Sequence, residues 1–207
     1  MIELFSVAAS MGVPSSGRHV AAIGSRLAAD VVIAFHYLHR RPSISHAFGL
    51  FGDGDLRGVV TFGVPPSRHL QVSACRANPD AVIELNRLWV ADTEAHGTES
   101  WFVARALRML PALIVVSYAD TAQGHVGYVY RALSFRYAGL TDADRKTPRY
   151  DYIPLSGGHT RDASRSGTAR KVRRLPKHRY WTTTGSPSER RRLAAACTWP
   201  SQSWRDQ

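Results

Sequence analysis

The 207-residue chain is poor in cysteine and lysine, and it has no long apolar run. Its two cysteines, Cys75 and Cys197, are too few for a disulfide framework and too far apart for a CxxC metal knuckle, so we expect a reducing compartment. No apolar segment approaches the roughly 20 residues of a membrane-spanning helix. The first ten residues lack the basic region of a secretory signal. We therefore expect no association with a membrane.

The net charge of +11 is unevenly distributed. Residues 1–144 carry 12 basic and 12 acidic residues, whereas residues 145–207 carry 15 basic and 4 acidic ones. Only three of the 27 basic residues are lysine, and arginine is the better bidentate reader of phosphates and bases. We predict an α/β catalytic body over residues 1–144. A basic portion, 145–207, extends or packs on it and is partly mobile over 157–176.

This charge predicts an anionic polymer as partner, although a solubility tail or a genome-wide arginine bias would give the same composition. Aromatic residues beside the arginines suit stacking on bases, and they serve equally well as docking anchors. Eight basic residues are the candidate contacts to nucleic acid: Arg170, Lys171, Arg173, Arg174, Lys177, Arg179, Arg190 and Arg191.

A strand with a polar end organises the middle of the chain. Leu113–Ser117 is a short run of mostly β-branched residues, which is typical of a strand buried on both faces. Asp120 follows it, and apolar residues then recur at helical spacing over 126–133. In open α/β sheets, ligands bind at the carboxyl ends of the strands, so Asp120 is a candidate functional residue.

The preceding segments predict further elements of an α/β domain. Ser25 is a candidate N-cap of a helix that continues almost to Pro42. Residues 47–51 and 57–62 predict a hairpin across a Gly/Asp turn, and residues 69–75 predict a third short strand.

Val82–Ala91 predicts a longer strand that is interrupted by polar residues. Strict alternation would place Glu84 and Asn86 on one face and Arg87 on the other. Because polar groups inside a strand are costly unless they are paired, Glu84 and Arg87 either orient a substrate or form a buried structural pair.

The order of these elements resembles that of the GNAT N-acetyltransferase superfamily, in which the long strand leads to a helix whose N-terminus binds a pyrophosphate. The candidate cofactor-binding residues are therefore Gly97, Thr98 and Ser100, and Ser100 could equally be a plain helix cap. The resemblance implies a mixed central sheet flanked by helices.

A set of motifs is similar to one family more specifically, the Mom family of bacteriophage DNA-modification proteins. The motifs are His36-Tyr37-x-His39, Gly58-Val-Val-Thr-Phe-Gly63, Glu84-Leu-Asn-Arg-Leu-Trp-Val90, Glu99-Ser100-Trp-Phe and Ser117-Tyr-Ala-Asp120-x-x-x-Gly124-His125-x-Gly127-x-x-Tyr130. This resemblance covers roughly residues 25–140.

The resemblance implies an enzyme of the cytoplasm of the infected host bacterium. It would convert the N6 amine of adenine in double-stranded DNA to a carbamoylmethyl derivative that blocks host restriction enzymes. An iron requirement is associated with the family. The group donor, the use of a coenzyme A derivative and the oligomeric state, a dimer included, are left open. The matching functional residues are His36, Tyr37, Arg87, Ser100, Asp120 and Tyr130.

The chemistry assigns provisional roles to these residues. Asp120 is the first candidate for a general base or a metal ligand, and the alternative is a helix cap. Tyr130 resembles the acid that protonates the leaving group in this fold, and the alternative is a half-buried core tyrosine. His36, Tyr37 and Asp120 form the candidate iron set, although adjacent helical residues point in different directions.

Two other functions are compatible with the sequence. One is a non-enzymatic, basic DNA-binding protein on a GNAT-like scaffold, which predicts salt-sensitive DNA affinity without a covalent product. The other is an ordinary coenzyme A-dependent N-acetyltransferase.

Overall fold

The computed structural model describes residues 17–143, 145–154 and 169–203. The sequence also predicts a short strand near Glu3–Val7, and both this strand and most of the segment expected to be mobile lie outside these residues. The strands are β1 (His19–Ala22), β2 (His46–Gly52), β3 (Asp55–Gly63), β4 (Val82–Val90), β5 (Ile114–Asp120), β6 (Arg136–Leu140), β7 (Tyr150–Pro154), β8 (Ala169–Arg173) and β9 (Lys177–Thr183). The helices are α1 (Ser25–Phe35), α2 (Arg68–Ala74), α3 (Thr98–Met109), α4 (Tyr128–Ala132) and α5 (Pro187–Ala196).

Seven strands form one mixed sheet in the order β1-β2-β3-β4-β5-β9-β6. β4 and β5 run parallel, and every other neighbouring pair is antiparallel. The long connection that a parallel pair needs is supplied by α3, which lies between β4 and β5 in the chain. This mixed sheet with flanking helices confirms the predicted GNAT-like α/β class.

Helices cover both faces of the sheet. On one face, Phe102 and Val103 of α3 pack against Ile83 and Leu85 of β4. On the other face, α1 packs on β2 and β3, while α2 and α5 pack on the middle strands around Val82 and Trp181. β4 is therefore buried from both sides over its first half, which explains its nearly continuous apolar start.

Several predicted elements are confirmed, because a strong apolar pattern marks them. The hairpin β2–β3 and the strand β4 lie where the sequence places them, and so does a strand that the sequence also predicts at Tyr150–Pro154. β7 pairs only with β8, in a separate two-stranded sheet. Ala169–Arg173 is thus an ordered strand within the segment expected to be mobile.

Four predictions about the N-terminal half are wrong. Gly24, not Ser25, is the N-cap of α1, and α1 ends at Phe35, so His36 and Tyr37 lie beyond the helix. Residues 69–75 form most of helix α2 rather than a strand. The sequence favours Thr98 as the N-cap of α3, whereas Gly97 is the N-cap and α3 begins at Thr98.

The basic C-terminal portion shares the main sheet, because β9 inserts between β5 and β6. Its Trp181 and Tyr180 are almost fully buried, on opposite faces of that sheet. These two aromatic residues belong to the core. They therefore serve as docking anchors rather than as stacking surfaces for bases. The boundary at residue 144 stays a prediction.

Candidate active site

A cleft opens where β4 and β5 part. Their parallel pairing covers Val82 to Leu85 and Ile114 to Ser117, and it stops there. Beyond that point β4 stays paired with β3, whereas β5 stays paired with β9. The separation leaves a cleft of about 590 Å³ that is lined by β4, the end of β5, the segment after α1 and the start of α4. This size lies within the range of small-molecule sites.

A β-bulge in β4 decides which side chains share the cleft face. Arg87 is opposite Thr61 in β3, and Leu85 is opposite Phe62, so Asn86 is an extra residue. Because cross-strand partners share a face, the bulge brings Arg87 to the same face as Glu84. The strict alternation expected from sequence, with the two on opposite faces, is wrong. Asn86 is held by a hydrogen bond from the Thr61 hydroxyl (2.6 Å) and donates to the Ser43 carbonyl (2.7 Å).

Glu84 is a cleft residue with a strongly altered acidity. Burial raises the pKa of its carboxyl to about 7, and the positive charges of Arg87 and Lys177 oppose that rise. The group is thus half ionised near neutral pH, which is the range in which a general base works best. Glu84 is the functional candidate to which sequence reasoning gave only an orienting role, and its position inside an apolar strand was the signal.

Arg87 lies on the same face as Glu84, and one of its N–H groups has no acceptor among the described residues. One terminal nitrogen donates to the Asn86 carbonyl at 2.5 Å. Its Nε is buried and has no hydrogen-bond partner among the described residues. A buried donor without a partner is unfavourable until a ligand accepts from it, so Arg87 is suited to holding a carbonyl or phosphate oxygen.

Tyr130 lies on the opposite wall of the cleft, in α4. Burial raises the pKa of its hydroxyl to about 12, while the neighbouring Ser117 hydroxyl opposes the rise. Its ring packs on Phe135 and Tyr180, with centroids 5.4 and 5.2 Å away. A phenol with this pKa is protonated at neutral pH, and the role of Tyr130 as an acid stays a prediction. The alternative of a half-buried core tyrosine is compatible with the same ring contacts.

The start of α4 depends on Gly127. This residue has φ +80°, and a Cβ there would lie 2.4 Å from the Tyr180 ring. The Tyr180 hydroxyl donates to the neighbouring Val126 carbonyl at 2.6 Å. The glycine therefore fixes the distance between Tyr130 and the sheet.

His36 and Tyr37 line the same cleft from the segment after α1. Their rings are stacked, with centroids 4.4 Å apart. The Nδ1 atom of His36 accepts a hydrogen bond from the Leu38 backbone N–H at 3.1 Å. Burial, with the positive charge of Arg87 and the neighbouring histidines His125 and His39, lowers the pKa of His36 to about 4. The imidazole is neutral at physiological pH.

Asp120 borders the cleft rather than pointing freely into it. One carboxylate oxygen accepts from the Ala122 backbone N–H (3.0 Å), and the other accepts from Lys177 Nζ (2.7 Å). It caps the 3₁₀ turn Thr121–Gln123, as the alternative interpretation supposed. Its charge contributes to a raised pKa of Tyr37, although burial is the larger cause. The role of Asp120 as a base or ligand stays a prediction.

The donor set does not fit the predicted iron site. The described residues contain no group of three His, Cys, Asp or Glu side chains that could hold a metal ion. Asp120 is already paired with Lys177, and the Nδ1 atom of His36 is already bonded. Iron binding at His36, Tyr37 and Asp120 would require these contacts to rearrange, and the iron requirement stays a prediction.

The start of α3 does not fit a diphosphate well. The Thr98 hydroxyl donates to the Ala95 carbonyl, and the Ser100 hydroxyl donates to the Gly97 carbonyl. Glu99 is the residue of this turn that lines the cleft, and its negative charge opposes an anion at the helix terminus. The roles of Gly97, Thr98 and Ser100 in binding coenzyme A stay predictions.

The eight predicted nucleic-acid contacts fall into three places. Lys177 and Arg179 belong to β9, where Lys177 binds Asp120 and the Arg179 guanidinium lies 5.4 Å from the centre of the Trp199 ring. Arg190 and Arg191 are exposed on α5 and, with Arg136, line a smaller cleft of about 320 Å³. The remaining four are in or next to β8: Arg170, Lys171, Arg173 and Arg174. No described helix is long and apolar enough to cross a membrane.

Comparison with known proteins connects this cleft to one family. The model of the Mom protein family matches residues 18–193. The chain belongs to the Mom protein family. Methylcarbamoylase mom of Escherichia phage Mu is 30% identical over an alignment of 137 residues. The aligned region covers 62% of this chain and 56% of the phage Mu protein. The chain thus spans little more than half the length of that curated relative.

Two solved structures of acetyltransferases are similar to the chain in fold. A GNAT-family acetyltransferase from Bacillus cereus ATCC 10987 has a TM-score of 0.47 and 13% identity, with 83% of this chain and 100% of that chain covered. An N-acetyltransferase from Staphylococcus aureus Mu50 has a TM-score of 0.47 and 12% identity, with 81% and 99% covered.

Proposed function

We propose that this protein is a transferase that modifies the N6 amine of adenine in double-stranded phage DNA, leaving a carbamoylmethyl group. The observation that carries the proposal is the Glu84 carboxyl, whose pKa is raised to about 7 at the point where β4 and β5 part. Membership of the Mom family and the name of the phage Mu relative support the same chemistry. The modification would protect phage DNA from restriction in the cytoplasm of the infected host.

The adenine amine needs a base because its lone pair is delocalised into the ring. As N6 forms a bond to the incoming carbon, it must lose a proton, and ionised Glu84 would accept that proton. The donor, an activated carbamoylmethyl or glycyl compound, then loses its leaving group with the bonding electrons. Tyr130 would protonate that leaving group, because its hydroxyl carries its proton at neutral pH.

The cleft has the character of a site for an extruded base. In the duplex, N6 is engaged in a base pair at the edge of the major groove, so reaction inside a cleft needs the adenine exposed or flipped out of the base stack. Tyr37 and Trp89 line the cleft and offer aromatic surfaces for such a base. Arg87, with its Nε unpaired among the described residues, is suited to holding an oxygen of the donor.

The experiment is expression under iron-replete conditions followed by mass spectrometry of the nucleosides of host DNA. Wild-type protein should yield modified deoxyadenosine. Glu84→Gln should lower the yield about 10²- to 10⁴-fold, which is the usual contribution of a general base.

Glu94→Gln is the matched control, because Glu94 forms a surface ion pair with Arg18 (3.5 Å) and does not line the cleft. Its yield should equal that of the wild type. Only unmodified deoxyadenosine from a folded wild-type protein would refute the proposed function. Equal yields from both variants would remove Glu84 from the mechanism.

A further inference from the structure

The pair β7–β8 is a two-stranded ribbon that stands apart from the main sheet. At its base, the Arg174 backbone N–H donates to the Arg149 carbonyl at 2.9 Å. Two ion pairs fix this base, Arg174 with Asp151 and Arg149 with Asp142. An isolated ribbon buries little apolar surface, so these polar contacts determine how it projects.

The register of the ribbon separates its side chains into two faces. Tyr150 is opposite Arg173, and Tyr152 is opposite Lys171. Because side chains alternate along each strand and cross-strand partners share a face, these four lie together. We call them the Tyr–Lys–Arg face. Asp151, Ile153, Arg170 and Val172 lie on the other face.

The Tyr–Lys–Arg face is exposed and carries uncompensated positive charge. Tyr150 is 41% exposed and Tyr152 is 51% exposed, and both cations are exposed as well. Neither Lys171 nor Arg173 has an ion pair within the described part of the chain. Lys171 Nζ lies 4.1 Å from the centre of the Tyr150 ring, which holds the ammonium group against an aromatic surface.

The ribbon is joined to the wall of the cleft by a short, fixed segment. Three residues, 174–176, separate β8 from Lys177, and Lys177 both lines the cleft and binds Asp120. The Pro176 carbonyl accepts a hydrogen bond of 2.5 Å from Thr121, the residue after Asp120. Whatever binds the ribbon is therefore held next to the cleft.

We propose that the Tyr–Lys–Arg face binds the DNA duplex along a groove, with Lys171 and Arg173 on phosphates and the two tyrosines against sugars and base edges. The proposal rests on the proposed function, since it identifies how that substrate is held. Two paired strands are about 5 Å apart, and the major groove, about 12 Å wide, admits such a ribbon. The groove is also where N6 is exposed, so this docking places the reacting edge beside the cleft.

The test is the affinity of the full chain for a labelled 30-base-pair duplex, measured by fluorescence anisotropy at several salt concentrations. Each phosphate contact contributes about 0.9 to the slope of log K against log salt. Lys171→Gln/Arg173→Gln should therefore lower the slope by about 1.8 and weaken binding about fiftyfold at 0.1 M salt.

The control is Arg26→Gln/Arg76→Gln, which removes the same charge from exposed positions outside the ribbon and the cleft. It should bind within about twofold of the wild type. The same slope in the ribbon and control variants would overturn the proposal, as would a wild-type protein that does not bind the duplex.

Product analysis separates this proposal from the proposed function. If the wild type binds DNA through the ribbon but makes no modified nucleoside, the proposed function fails and the ribbon assignment stands. If product forms and the ribbon variant binds like its control, only the ribbon assignment fails.

Discussion

The parallel strands β4 and β5 have two halves of opposite character. In the paired half, Ile83, Leu85 and Val115 belong to one buried apolar cluster. In the separated half, Arg87 and Tyr118 face a cleft instead of a neighbouring strand. Because an unpaired polar group is costly in the core and useful in a cleft, the same two strands supply stability at one end and chemistry at the other. Glu84 lies at the boundary between the two halves, where burial raises the pKa of its carboxyl.

Truncating one leucine in each half tests whether the paired half supplies most of the stability. Leu85 is 3% exposed in the main cluster, whereas Leu88 is only partly buried against it. Leu85→Ala should lower the free energy of unfolding by about 2–5 kcal/mol. Leu88→Ala should lower it by less than half as much. Urea denaturation of both variants measures this, and equal losses would contradict the assignment of stability to the paired half.

The junction between the halves depends on Ser117. Its hydroxyl donates to the Leu85 carbonyl at 2.9 Å in a fully buried position. Ser117→Ala leaves that carbonyl without this partner, so the free energy of unfolding should fall by about 1–2 kcal/mol. Ser67→Ala, at an exposed hydroxyl, is the control and should change it by less than about 0.5 kcal/mol. Similar effects of the two would show that the junction bond is not stabilising.

A third prediction concerns the charge of Glu84 itself. Since its pKa is raised from 4.5 to about 7, the folded state holds this proton more tightly than the unfolded state. Stability should therefore fall as pH rises from about 4.5 through about 7. Glu84→Gln removes this loss, so the variant should be more stable than wild type at pH 8 and equal to it at pH 4.

Thermal melting at the two pH values measures this difference. A variant that is less stable than wild type at pH 8 would mean that ionised Glu84 is a structural partner of Arg87, the alternative considered from sequence.

The sequence predicts the elements that have a strong local pattern. The hairpin β2–β3 and the strand β4 follow from apolar runs bounded by turn residues. Helix α2 was mistaken for a strand because its seven residues are too few to establish a period. The end of α1 at Phe35 was missed because only tertiary contacts, such as the stacking of Phe35 on Trp89 at 4.8 Å, distinguish the helix from the segment that follows.

Four of the six residues expected from the motif resemblance share one cleft, whereas Ser100 and Asp120 do not line it. His36, Tyr37, Arg87 and Tyr130 line one cleft, as the motif resemblance led us to expect. The importance of Glu84 relative to Asp120 could not be predicted from the sequence. It depends on the β-bulge that puts Glu84 and Arg87 on the same face of β4, and on the contact of Asp120 with Lys177, which lies 57 residues later. Neither feature leaves a periodic signal in the sequence.

The pH dependence of product formation tests directly whether Glu84 is the general base. The initial rate of modified deoxyadenosine formation should be measured between pH 5.5 and 8.5 for the wild type and for Glu84→Gln, at saturating DNA. Because the base form of Glu84 increases through pH 7, the wild-type rate should rise about tenfold per pH unit below that value and level off above it. The variant should be slow and should lack the rise. A wild-type rate that is constant over this range, or a variant that follows the wild-type curve, would contradict the role assigned to Glu84.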